Sequence, residues 1–222
     1  SDLSGLKKIG KKAFSGCESL TKALLPDNLE TIENNAFENC KALSEINFPS
    51  GLKKIGEKAF FGCASITAAI LPDGLESICD DAFNGCSSIQ SVYIPGSLSN
   101  IEAEILEKNT SLTSVTIADN IEDLGTGGLF AHCTALKSIV LPRSLNSIGI
   151  GEFFGCKSLE TITIPANISD IEKKVFAYCS SLHTIIVTDG KLTFGLKRMI
   201  KKALRHSENV FRDVKIITEN DL

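Results

Sequence analysis

The side chains best suited to chemistry in this chain are its eight cysteines and three histidines. Clustered thiolates would hold a metal, a thiol beside an imidazole would make a nucleophile, and paired thiols would form a disulfide framework. Their spacing favours none of these. Seven cysteines form a single ladder, Cys17, Cys40, Cys63, Cys86, Cys133, Cys156 and Cys179, and only Cys79 stands apart. An odd ladder cannot pair completely, and neighbours stacked roughly 5 Å apart would present parallel side-chain vectors that a disulfide torsion tolerates only with distortion. There is no C-x-x-C pair, so the ladder reads as small buried hydrophobes, reduced and inaccessible, with no metal and no cofactor expected. His132 precedes Cys133, but adjacent side chains commonly point apart and no third group orients the pair. His183 falls on a strand position expected to face solvent, and His206 lies near the end of an expected helix. Neither a G-x-x-x-x-G-K-[ST] phosphate loop nor a G-x-G-x-x-G fingerprint occurs, and no catalytic constellation assembles.

What positions these residues is a repeat. Leu6, Leu29, Leu52, Leu75 and Leu98 are spaced by 23, and Ile121, Leu145 and Ile168 continue the series after one 24-residue step, giving eight copies. A Phe lies eight residues into most copies, at Phe14, Phe37, Phe60, Phe83, Phe130, Phe153 and Phe176, and the cysteine follows three residues later. Then comes L-x-x-I-x-I, as in Leu159-Glu160-Thr161-Ile162-Thr163-Ile164. This alternation reads as a strand with its apolar side inward. Strands are expected near residues 20–25, 43–48, 66–71, 89–94, 112–117, 136–141, 159–164 and 182–187. All six prolines, Pro26, Pro49, Pro72, Pro95, Pro142 and Pro165, close strands, because proline has no N–H to extend a ladder. Two residues on sit turn-tolerant types such as Asn28, Gly51, Gly74 and Gly190.

Composition is that of an ordinary folded chain: apolar residues are 43%, charged residues 23%, and net charge is −4. No apolar run approaches the roughly 20 residues that span a bilayer. The acidic balance makes nucleic acid an unexpected partner. One copy cannot bury its own apolar face, whereas stacked copies share a continuous core that can exceed the size of a single globular domain. The strands should then align as one parallel sheet about 4.8 Å apart, so that eight span on the order of 35 Å.

Two departures interrupt the pattern. The fifth copy has Leu106 for Phe, Asn109 for Cys and Ala118 for Pro, and the sixth carries its extra residue within Leu124-Gly125-Thr126-Gly127-Gly128. This is either a drifted repeat with altered curvature or a loop specialised for a partner. After Gly190 the period ends. Leu196, Met199, Ile200, Ala203 and Leu204 recur on one helical face of residues 194–206, with Lys197, Arg198, Lys201, Lys202 and Arg205 on the other. Val214, Ile216 and Ile217 indicate a final strand. A solenoid needs its last open core covered, so the expected organisation is repeats over 1–190 and a capping segment, helix then strand, over 191–222. A basic amphipathic helix also fits a membrane surface, the less favoured reading of 194–206.

The columns L-x-x-I, A-F-x-x-C and L-x-x-I-x-I-P over residues 6–190 resemble the BspA-like, or Treponema pallidum type, leucine-rich repeat. The resemblance implies a right-handed α/β leucine-rich-repeat solenoid with a parallel sheet on one side and a C-terminal helical cap. It also implies a secreted or cell-surface protein of a host-associated microbe, acting in adhesion, host-protein binding or coaggregation. Every matching column is a packing column, so no ligand residue carries over. Ser1-Asp2-Leu3-Ser4 shows no charged stretch followed by an apolar one, and a leader and anchor are expected to lie outside these residues. Asn109-Thr110-Ser111 and Asn167-Ile168-Ser169 match the N-glycosylation sequon, an accidental match if the source is bacterial.

A binding face must then use the outward x positions of the strands. One outward column reads Leu24, Asn47, Ile70, Tyr93, Thr116, Val140, Thr163 and Ile186; the adjoining one includes Gln90, Lys137, Glu160 and His183. The first column is more apolar than contact with water requires and holds an aromatic near its middle, as protein interfaces do. Equally, β-branched residues simply suit strands. The functional readings are a non-catalytic protein-binding module, meeting a host-matrix protein or another microbe's surface protein, and a structural spacer that presents another domain.

Overall fold

The structure is a computed structural model describing residues 5–98, 100–125, 127–188, 192–205 and 214–222. Thr126, Gly190 and His206 lie outside the described residues. In chain order the elements are β1 (Lys8–Ile9), β2 (Lys22–Ala23), β3 (Thr31–Ile32), β4 (Glu45–Ile46), β5 (Lys54–Ile55), β6 (Ala68–Ile70), β7 (Ser77–Ile78), β8 (Ser91–Ile94), β9 (Asn100–Ile101), β10 (Ser114–Ile117), β11 (Ser138–Val140), β12 (Ser147–Ile148), β13 (Thr161–Ile164), β14 (Asp170–Ile171), β15 (Thr184–Val187), α1 (Phe194–Arg205) and β16 (Lys215–Thr218). All strand pairs are parallel, and each pair between regular copies is offset by 23 residues, as in Ile9 opposite Ile32 and Tyr93 opposite Thr116.

The expected strands are present but shorter, two to four residues each, and their column does not form one unbroken sheet. It divides into β2-β4, β6-β8-β10 and β11-β13-β15-β16. The second break, between β10 and β11, brackets the 24-residue step. A second column, unassigned from sequence, runs along another side as β1-β3-β5-β7-β9 and β12-β14. It comes from the L-x-x-I at the start of each copy, whose Ile32, Ile55, Ile78, Ile148 and Ile171 are buried. Proline joins the two columns: the carbonyls of Pro26, Pro49, Pro72 and Pro142 accept the N–H of the leucine three residues on, a tight turn from one strand to the next. A third side is a ladder of turns in which Phe14, Phe37, Phe60 and Phe83 donate their N–H groups to carbonyls 22 residues ahead.

Inside, Phe14, Phe37, Phe60 and Phe83 stack with centroids 5.0, 5.3 and 5.0 Å apart, and Phe130, Phe153 and Phe176 with 5.6 and 6.2 Å. Leu106, buried, interrupts the stack as expected. Phe14 is 40% exposed and Cys17 is exposed, against the expectation of burial, because no described coil covers that face of the first one. The other six ladder cysteines are buried, and none is joined in a disulfide.

These thiols do more than fill space. The Sγ of Cys40, Cys63, Cys86, Cys133, Cys156 and Cys179 each donates to the carbonyl of the Phe-column residue one coil earlier, at 3.0 to 3.3 Å. Asn109 takes over that role in the fifth copy, where its amide donates to the carbonyls of Phe83 at 2.9 Å and Leu106 at 2.8 Å. The replacement preserves the bond and leaves the Asn109 Oδ1 buried without a partner. In the sixth copy a glycine loop stands where the second column would continue. A Cβ on Gly127 would lie 2.3 Å from the carbonyl oxygen of Ile150, so only glycine lets the coils approach there.

At the other end Thr193 starts α1, its hydroxyl accepting the N–H of Leu196 at 3.1 Å. The helix buries Leu196, Ile200 and Ala203 and packs against β14. β16 adds one more strand beside β15, with Ile216 opposite Ile185.

Two measurements test this packing. Phe60→Ala should cost about 3 to 5 kcal/mol in urea denaturation, through lost burial and a cavity; a loss under about 1 kcal/mol would mean the stack is misplaced. Asn109→Ala strips the side-chain donor from the Phe83 carbonyl, while the Leu106 carbonyl keeps Cys133, and should cost about 1 to 3 kcal/mol, whereas Asn109→Cys keeps a donor and removes the orphaned oxygen. Equal stability of the Ala and Cys variants would show that the ladder contributes nothing.

Candidate functional site

The outward strand face divides according to what each side chain already does. Leu24, Ile70 and Val140 are 64%, 56% and 64% exposed, and Thr116 is exposed. Gln90, Lys137, Glu160 and His183 of the adjoining column are all exposed, and the His183 ring nitrogen Nδ1 lies 2.9 Å from the Thr184 hydroxyl. Tyr93 and Ile186 are half-buried. Asn47 is spoken for: its Oδ1 accepts the N–H of Leu25 at 2.7 Å and its amide donates to the Leu25 carbonyl at 2.8 Å, bridging two coils. Thr163 does not have the exposure expected of it. At 9% it is buried, a short side chain in register between Val140 and Ile186, which shade it.

What remains is two patches, one on each side of the break between β10 and β11. In the first, Ile70, Tyr93 and Thr116 lie on paired positions of neighbouring strands. The Tyr93 hydroxyl donates to Asp73 Oδ1 at 2.8 Å, which holds the ring in place and raises the phenol pKa through that bond. In the second, Val140 and Ile186 flank Thr163. Such patches offer apolar contact and fixed polar groups, with no nucleophile or general base among them.

The buried ladder thiols are arranged away from reactivity. Burial pushes the thiols of Cys63, Cys133 and Cys179 up to about 12 and those of Cys86 and Cys156 well above the ordinary value, so none is a thiolate at neutral pH. Cys133 faces inward to the Leu106 carbonyl, while the neighbouring His132 ring packs edge-on against Phe154, centroids 5.2 Å apart.

Two features of the irregular coils were not foreseen. Asp81, Glu104 and Glu107 place carboxylate oxygens within 4.8 Å of one another. The Asn84 amide donates to Asp81 at 2.6 Å and Glu107 at 2.8 Å, Lys58 lies 3.6 Å from Asp81, and Lys108 lies 3.0 Å from Glu107. The cluster is therefore met by its own neighbours. Beside it an open cleft of about 330 Å³ is floored by Gly127, Gly128 and Gly151, with Glu104, His132 and Lys174 at its walls. Beneath the glycine loop, Glu152 occupies the inward position held by alanine in Ala36, Ala59 and Ala82. It is fully buried, and neither carboxylate oxygen has a hydrogen-bond partner. Burial pushes its pKa up to about 8; the charge of Asp123 adds to this, while the N–H groups of Leu129 and Gly128, near but outside hydrogen-bonding geometry, oppose it. A glutamate in an alanine column was a visible signal in the sequence.

The signature of the BspA type leucine rich repeat region matches the chain in six copies, over residues 7–128 and 109–217. Among solved structures, a leucine-rich repeat protein from Bacteroides ovatus is 29% identical, with a TM-score of 0.62 over 96% of this chain and 66% of its own. The Treponema pallidum leucine-rich repeat protein is 27% identical, with a TM-score of 0.56 over 93% of this chain and 79% of its own. A leucine-rich cell surface protein from Faecalibacterium prausnitzii shares the fold at 21% identity and a TM-score of 0.55, over 85% of this chain and 64% of its own. The chain thus spans somewhat less than two thirds of the Bacteroides and Faecalibacterium relatives. None of the curated proteins matches it.

Glu152 yields a pH prediction. Its folded pKa of about 8 lies above the ordinary 4.5, so its contribution is fully present below about pH 4.5 and is lost as pH rises toward 8, at most about 1.4 kcal/mol per unit. Urea denaturation between pH 5 and 9 should show this decline in the wild type and a flatter profile in Glu152→Leu. Parallel profiles would mean that the carboxylate is ionised or solvated in the fold.

Proposed function

Since the chain belongs to the BspA-type leucine-rich-repeat family, we propose that it is a non-catalytic, protein-binding module of a bacterial surface or secreted protein, acting in adhesion or host-protein contact. The observation that carries this reading is the set of exposed apolar side chains along the outward strand face. Ile70, Leu24 and Val140 keep more than half their surface in water although the fold does not need them there. Tyr93, tethered to Asp73, supplies a preorganised aromatic of the kind that anchors interfaces. Exposed Gln90, Lys137, Glu160 and His183 give this face a polar rim. A surface location accords with the Faecalibacterium prausnitzii relative, a cell surface protein.

A second reading, a spacer presenting another domain, draws on the ion pairs that join successive coils. Lys7 pairs with Glu30, Lys22 with Glu45 at 2.6 Å, Lys41 with Glu18 at 2.7 Å and Lys53 with Glu76 at 3.1 Å. Charges used between coils stiffen the array and are less free for a partner.

The readings separate in a pull-down from host matrix extract and from the surface proteins of neighbouring microbes. A binding module retains a protein that the variant carrying Tyr93→Ala and Ile70→Asp loses, with the melting transition of the variant little changed, because both positions face outward. Retention undiminished in that variant would remove the sheet face from consideration, and no retained protein from either source would favour the spacer.

A further inference from the structure

The helix that closes the solenoid bears a surface its capping role does not use. Counted at 100° per residue, Leu196, Ile200 and Ala203 point to one side of α1 and are buried. Lys197, Arg198, Lys201, Lys202 and Arg205 occupy the opposite side, and all five are exposed. The helix has no acidic residue, so it carries five positive charges in a chain of net charge −4. Elsewhere lysines pair with glutamates of a neighbouring coil, but no acidic side chain among the described residues pairs with these five. Together with Phe194 they line an open trough of about 550 Å³. Phe194 is 85% exposed and, by the same angular count, falls in the middle of the basic face. An exposed aromatic among cations that no described carboxylate meets serves neither solubility nor the cap.

The spacing narrows the partner. Lys197, Lys201 and Arg205 form one row and Arg198 and Lys202 a second, with steps of four residues, about 6 Å along the axis. An extended polypeptide shows every second side chain on one face, about 6.6 Å apart. Insertion into a bilayer would need an apolar helical face, and that face is consumed by the core. We infer that the outer face of α1 is a second docking surface, taking an extended acidic segment of a partner polypeptide whose alternate carboxylates meet the two basic rows and whose apolar side chains contact Phe194. This surface stands at the end of the array and is independent of the sheet face.

The test uses the whole chain and a labelled peptide of alternating Glu and Thr with one central Glu replaced by Leu, about 10 residues long, with its Gln-for-Glu counterpart as control, read by fluorescence anisotropy. The Glu peptide should bind, the Gln peptide should not, and affinity should fall as salt shortens the screening length. Lys197→Glu with Lys201→Glu should weaken binding at least about tenfold. Lys197→Gln with Lys201→Gln should weaken it less, and Phe194→Ser should weaken it at unchanged salt dependence. Hydrogen exchange in β15 and β16 shows whether each variant keeps its cap. The variant carrying Tyr93→Ala and Ile70→Asp should bind the peptide normally, which keeps failure here distinct from failure of the sheet-face reading. Absence of Glu-peptide binding, or equal binding by wild type and charge-reversed variant, overturns the inference. So does retention on phosphatidylserine vesicles without peptide binding, which would assign the face to a membrane.

Discussion

Parallel stacking at a fixed offset sets each residue over its counterpart one coil away, and that constraint governs every other choice in the molecule. A side chain that suits one copy must also tolerate its own kind as a neighbour. Phenylalanine satisfies this by stacking face to face. Cysteine satisfies it because a thiol is small enough for the core and still donates one hydrogen bond to the coil behind it. Charge cannot satisfy it, since like charges would stack at about 5 Å. The chain answers by alternating sign, so that Lys7, Glu30, Lys53 and Glu76 neutralise one another in pairs.

How much of this could be read beforehand follows from the same constraint. Columns repeated eight times average out local ambiguity, which is why the Phe and Cys ladders and the main strand positions were legible. The second strand column was less so, because two residues per coil, such as Thr31 and Ile32, carry too little periodicity to declare a strand. Outward positions were legible only as directions. Whether such a residue is free depends on its neighbours, and neither the Asn47 bridge to Leu25 nor the shading of Thr163 leaves a trace in a single column. Asn109 reads as decay of the pattern, yet it keeps the donor that the column requires.

The irregularities gather in consecutive coils. Leu106, Asn109, the glycine loop and Glu152 all fall where a 24-residue step breaks the register, and both strand columns are interrupted there. Once one coil is out of step, the rule that like lies over like is relaxed for its neighbours, and residues excluded elsewhere become tolerable. A buried carboxyl is the extreme case. Its penalty lies in the charged form, so the fold keeps it neutral.

The thiol ladder has a consequence for biogenesis. Each buried ladder cysteine donates a hydrogen bond from its S–H to a carbonyl, and a sulfur engaged in a disulfide has no S–H to donate. Once the coils have closed, burial and the raised pKa shield the sulfur from oxidants and from exchange. Before they close, the seven ladder thiols, at the repeat interval except for one double gap between Cys86 and Cys133, and Cys79 among them, are free to join in many wrong combinations along an open chain. For the six buried ladder thiols, vulnerability to an oxidising medium is therefore concentrated in the interval before folding is complete, and a chain that has closed its coils leaves only Cys17 and the half-buried Cys79 within reach.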